Sequence, residues 1–165
     1  MFNQRSSRSR GDTSMKGTSM NNPAVRSLGI LVARVGIGII FLAHGWQKAF
    51  TNGLDATTAG FEAMGVPLPG VSAFLATWIE LIGGIALIIG AAVPIFGILL
   101  FLDMVGAFFL VHVDKGIFAS EGGYELVLAL GVGSLLLAVV GSGRFGVDGL
   151  LGDKVPWAAK ERATV

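Results

Sequence analysis

The chain contains no cysteine, and that absence removes a whole group of chemistries. Disulfide relay, thiolate metal sites, Cys-ligated iron–sulfur clusters and thioredoxin-like exchange all need a thiol that this chain does not supply. The compartment stays open, because a protein without thiols is indifferent to redox poise. Charge is also scarce, at 14% of 165 residues, against 53% hydrophobic residues. A water-soluble domain of this size needs a polar shell that so few charges could hardly build. The 12 basic and 11 acidic residues nearly cancel, so net charge gives no reason to expect a nucleic-acid partner. What is present instead is long apolar sequence.

Four apolar runs occupy residues 28–50, 71–92, 95–113 and 124–141. Each is close to the roughly 20 residues a helix needs to cross about 30 Å of hydrocarbon. Backbone polar groups in lipid must be satisfied internally, and the runs are too long and too weakly alternating for barrel strands. The expected fold class is therefore an all-α membrane protein, a four-transmembrane-helix bundle. Residues 1–26 read as a disordered basic tail carrying Arg5, Arg8, Arg10, Lys16 and Arg26. Residues 27–143 form the transmembrane domain and 144–165 a polar C-terminal tail. The first run starts too far along the chain for a cleaved signal peptide and reads as a signal anchor. Cations gather toward both termini and are rare in the loops 51–70 and 114–123, which predicts both termini in the cytoplasm. Many of the 25 glycines fall inside the runs, where small residues let helix backbones approach.

Ionisable residues inside a span are costly and therefore informative. The first run carries Arg34, His44, Gln47 and Lys48; at about 100° per residue, Arg34, His44 and Lys48 share one face. Glu80 lies on the second run, Asp103 and His112 on the third, and Tyr124 and Glu125 open the fourth. Counting rise per residue from the start of each run puts Arg34 and Asp103 at compatible depths. They are expected to form a structural ion pair joining the first and third helices, the alternative being a snorkelling Arg34 with a protonated Asp103. His44 and His112 also fall at one depth. They form the only candidate pair for haem or copper, against the plainer reading that each bonds a nearby carboxylate. His44, Gln47, Lys48, Glu80 and Glu125 together read in one of two ways. They are an interhelical polar network, or the wall of a pocket for a quinone head group, whose carbonyls need donors and whose reduction needs protons. The run Gly141-Ser142-Gly143-Arg144-Phe145-Gly146 matches the dinucleotide-binding spacing but follows an apolar helix rather than a strand, so no nicotinamide site is expected.

These segments resemble the DoxX family. Phe41-Leu42-Ala43-His44-Gly45-Trp46-Gln47-Lys48 is similar to its first-helix signature, and residues 60–67 to the loop after it. Trp78-Ile79-Glu80-Leu81-Ile82-Gly83-Gly84 resembles its second helix, Gly122-Gly123-Tyr124-Glu125-Leu126 the entry to the fourth, and residues 141–148 its C-terminal end. The resemblance runs in order over residues 28–150 and implies a four-helix protein of the bacterial inner membrane. Some members of that family belong to quinone-reducing thiosulfate oxidoreductases, and some actinobacterial members to a membrane oxidoreductase complex handling thiol and superoxide stress. Carried over as motif positions are His44, Gln47, Lys48, Glu80, Tyr124 and Glu125. The expected function is a membrane subunit of a quinone-linked oxidoreductase or redox-stress complex, with quinone as the cofactor candidate. The alternative is a non-enzymatic scaffold or assembly factor that anchors soluble redox enzymes. Expected partners are the lipid bilayer, such soluble enzymes, and further copies of the chain. A small-molecule transporter has less in its favour, since no inverted repeat is visible.

Overall fold

The computed structural model describes residues 22–154 together with 156 and 157. Most of the basic N-terminal tail and the end of the C-terminal tail lie outside the described residues. Helix α1 spans Pro23–Trp46 and starts five residues before the apolar run does. Asn22 caps it, its side chain accepting from the Ala24 N–H at 2.9 Å, with Pro23 at the first helical position where its missing N–H costs nothing. The helix runs on into a π-helical turn, Gln47–Thr51. Helix α2, Leu54–Ala63, occupies most of the connection that reads as loop in the sequence. Helix α3 covers Pro69–Ile89 and α4 covers Val93–Ala107, continuing through a π-helical turn, Phe108–His112, and a 3₁₀ turn, Val113–Lys115. Helix α5, Glu125–Val140, and a short α6, Val147–Leu151, complete the chain.

Three helical stretches are long and apolar enough to cross a membrane: Pro23–Thr51, Pro69–Ile89 and Val93–Lys115. This corrects the expected four-transmembrane-helix bundle. The fourth apolar run is helical over only 16 residues, about 24 Å at the usual rise per residue and short of the hydrocarbon thickness. Backbone geometry sets both of its ends. Before it, the backbone of Gly116 crowds Gly123 and leaves no room for a Cβ. After it, Gly141 turns at φ 76°. An apolar count cannot see either stop. The expectation of both termini in the cytoplasm rests on the distribution of cations, and three spans remove the even number that agreed with it.

Two helix pairs carry most of the packing, α1 against α3 and α4 against α5, joined by the α3–α4 hairpin. The α1–α3 contact is made by glycine. A Cβ on Gly84 would come within 2.5 Å of the Leu42 nitrogen, and one on Gly45 within 2.5 Å of the Leu81 nitrogen. Without a hydrophobic effect between helices in lipid, such close approach supplies the dispersion contact that holds them. Gly97 plays the same part between α4 and α5, facing the Ser134 carbonyl and Ala138. The buried core runs through Phe41, Leu87, Val93, Leu100, Met104, Val127, Leu130 and Leu137. Large side chains such as Val32, Ile39, Leu102, Val132 and Val139 are exposed, as lipid-facing surface requires.

Candidate functional site

The glycine contacts fix the helix register, and the register decides which polar groups meet. Gly45 lies beside Leu81, and Gly38 beside Gly84 and Ile88, so α1 and α3 run antiparallel. Gly83 lies beside Leu100, so α4 reverses direction again. Lys48, Glu80 and Asp103 therefore share one level, and Arg34 shares another with the α3–α4 turn. The two levels are about 15 Å apart, from the ten residues of α4 between Val93 and Asp103.

At the turn, Arg34 is 1% exposed. Its Nη1 donates to the Leu87 and Ile88 carbonyls, each at 3.2 Å, and its Nη2 to the Phe145 carbonyl at 2.6 Å. The guanidinium thus sits on the last carbonyls of α3, where the helix dipole favours a cation. Asp148 does the complementary work for α4. Its Oδ1 accepts from the Ala92 N–H at 2.8 Å and its Oδ2 from the Val93 N–H at 3.0 Å, satisfying donors that a helix N-terminus leaves open. The Asp148 N–H itself donates to the Gly90 carbonyl at 2.9 Å, and Trp157 Nε1 donates to Asp148 Oδ1 at 3.1 Å. Gly90, at φ 72°, is needed both for the left-handed turn and because Arg34 fills the space a Cβ would take. The expected Arg34–Asp103 pair is not what the structure brings together. The sequence count took the starts of the helices as level, whereas Arg34, eleven residues into α1, lies beside Gly90 just before α4 begins. It also took no account of α3, whose C-terminal carbonyls Arg34 meets.

At the second level, Lys48 Nζ forms an ion pair with Glu80 Oε2. Glu80 is 4% exposed, and Asp103 lies at its level on the neighbouring α4, one turn beyond the contact of Gly83 with Leu100. Asp103 Oδ2 is buried and finds no donor among the described residues. Three elements position the trio. The π-helical turn Gln47–Thr51 carries Lys48, and its wider winding is held by Thr57 of α2, whose hydroxyl donates to the Lys48 carbonyl at 3.1 Å. Helix α3 carries Glu80 one residue from the close contact at Gly45, and α4 carries Asp103. Trp78 Nε1 is also buried without an acceptor among the described residues, but two residues before Glu80 it lies on another face of α3.

The remaining expected site residues are elsewhere. His44 and Gln47 are exposed on α1, and His44 Nδ1 bonds the Ile40 carbonyl of its own helix at 2.9 Å. His112 Nδ1 bonds the Gly122 carbonyl at 2.6 Å. Tyr124 packs its ring against Phe108 at 5.1 Å, and Glu125 Oε1 accepts from the Ala119 N–H at 2.8 Å in the loop before α5. Of the six motif positions, Lys48 and Glu80 come together as an ion pair. Among the described residues no three His, Asp or Glu side chains gather as a metal site would require. Sequence reasoning placed Asp103 in the wrong partnership and missed Asp148 and Thr57. The capping geometry of Asp148 leaves no mark in composition, although an aspartate just past a glycine-rich turn is a recognisable helix-start residue.

The fold and this trio define a multi-pass α-helical membrane protein with a buried lysine–carboxyl cluster. Family comparison gives the class a name: the DoxX model matches residues 29–113, and the chain belongs to the DoxX family. It is 36% identical over 121 residues to "Putative oxidoreductase CatD" of Bacillus subtilis (strain 168), covering 73% of this chain and 85% of that protein. It is 32% identical over 134 residues to "Inner membrane protein YqjF" of Escherichia coli (strain K12), covering 79% of this chain and 97% of that one. No solved structure matches the chain.

Proposed function

We propose that the protein is an inner-membrane subunit of a quinone-linked oxidoreductase or redox-stress complex, and that the Lys48–Glu80–Asp103 trio is where it meets the quinone head group. The observation that carries the reading is an ion pair between a half-buried Lys48 and a buried Glu80, with a second carboxyl at the same level left short of a donor at Asp103 Oδ2 among the described residues. An ionisable trio at membrane depth is expensive and marks function by default. These side chains fit a quinone: the Lys48 ammonium can donate to a carbonyl oxygen, and a carboxyl can hold the proton that reduction consumes. The bound quinone would supply the electron-accepting carbonyls. The chain's own residues bind and orient the head group and hold a proton at a carboxyl oxygen. Membership of the DoxX family, the location named for the Escherichia coli relative and the activity named for the Bacillus relative support the same reading.

The test is a ubiquinone or menaquinone titration of the purified protein in nanodiscs, read by quenching of tryptophan fluorescence. Saturable quenching is expected for the wild type, with an affinity at least tenfold weaker in Glu80→Gln and Lys48→Met. Unsaturable quenching, equal in all three, would overturn the assignment. A scaffold role is the second reading. It is favoured by one end of α1, where His44, Trp46, Gln47 and Phe50 are all exposed, a polar and aromatic surface suited to a protein partner. A soluble redox enzyme that co-purifies stoichiometrically, and is lost in His44→Ala/Gln47→Ala, is the outcome that reading requires.

A further inference from the structure

The charges at the trio do not balance. One ammonium, Lys48, faces two carboxyls, Glu80 and Asp103, and the count closes to zero only with one added proton. Among the described residues, the other acidic and basic side chains on the surrounding elements are exposed or bonded elsewhere, with His112 on the continuation of α4 bonded to the Gly122 carbonyl and Asp114 and Lys115 exposed. On α1, His44 is exposed and bonded to its own helix; on α2, Asp55 and Glu62 are exposed. Glu125 of α5 is bonded in the loop at Ala119, and Arg34 is held at the far level by three carbonyls. Geometry makes the same point. Gly83 of α3 meets Leu100 of α4, and one turn further along these antiparallel helices Glu80 and Asp103 share a level. There Asp103 Oδ2 is buried and unpartnered among the described residues, and two ionised carboxylates would both be acceptors.

We infer that Glu80 and Asp103 hold one exchangeable proton between them, and that Asp103 is the member that releases and rebinds it. Glu80 is fixed by its ion pair with Lys48 and is almost wholly buried. Among the described residues Asp103 has no ion-pair partner, and its Oδ2 finds no donor. The trio is thus a neutral unit in the apolar interior, where net charge is most costly, and it carries a single mobile proton. This deepens the quinone reading by naming the residue that would exchange a proton with a bound carbonyl. The proton itself requires no quinone, so the two stand or fall separately.

The experiment is infrared spectroscopy of the full chain in lipid at neutral pH, without quinone, in the carbonyl-stretch region of protonated carboxylic acids. The expected result is one such band that responds to deuterium exchange and shifts when aspartate is isotopically labelled at its side-chain carboxyl. It should vanish in Asp103→Asn. In Lys48→Met the count needs a second proton, so the band should roughly double in area. Labelling assigns the band without any substitution, which keeps the inference testable if a variant fails to fold. Absence of a protonated-carboxyl band from the wild type would overturn it. So would a band indifferent to aspartate labelling and unchanged in Asp103→Asn.

Discussion

The two polar levels of this bundle use similar residues to opposite ends. At the α3–α4 turn, Arg34 and Asp148 are spent on backbone. Two carbonyls at the end of α3, the Phe145 carbonyl of the turn before α6 and two N–H groups at the start of α4 are satisfied by one guanidinium and one carboxylate. At the level of Glu80, the side chains are spent on one another, and an oxygen of Asp103 is left over. The first arrangement offsets most of the polar cost of a tight helical hairpin inside an apolar protein, with Arg34 Nε the one guanidinium nitrogen left without an acceptor among the described residues. The second keeps a polar cost, which a protein retains where chemistry or binding uses it. Burial alone does not separate them, since Arg34, Asp148 and Glu80 are all almost inaccessible. Partnership does.

Breaking the turn should produce the largest effect. Asp148→Ala leaves the Ala92 and Val93 N–H groups and the Trp157 indole without an acceptor. It should destabilise the protein by about 2–4 kcal/mol, the cost of leaving one buried and two part-buried donors unpaired, as read by unfolding in mixed detergent. Gly84→Ala sits between the two levels and forces a methyl group into the α1 backbone. About 1–3 kcal/mol is expected from the overpacking, with quinone affinity falling because α1 and α3 are wedged apart beside Lys48 and Glu80. Gly36→Ala is the matched control on α1. Nothing lies within 4 Å of the added carbon, so stability should hold or rise, by up to about 1 kcal/mol from the better helix propensity of alanine.

Much of this could be read in the sequence, but unevenly. The apolar runs located α1, α3, α4 and α5, because hydropathy is a local property. Their ends were less legible. Asn22-Pro23 starts α1 five residues before its apolar run, and the starts of α1 and α4 are not level, so a depth counted from each start paired Arg34 with Asp103. The register comes from Gly38, Gly45 and Gly84, whose contacts form only when α1 and α3 are packed. The fourth span failed for a related reason: an apolar stretch of 18 residues is not 18 helical residues when glycine turns stand at both ends. Glu80 and Lys48 were legible as members of one set because both lie in recognisable motifs. Asp148 was not, since its value comes from meeting a turn 55 residues away in sequence.

The most direct test of the contrast compares two single-atom changes, Asp148→Asn and Asp103→Asn, by melting temperature of the protein in one detergent. The account predicts a clear drop for Asp148→Asn, where an amide NH₂ must face a backbone N–H. It predicts no drop for Asp103→Asn, where the new NH₂ gives the Glu80 carboxylate a donor. A drop for Asp103→Asn equal to that for Asp148→Asn would contradict it, because both levels would then be structural and neither set apart for function.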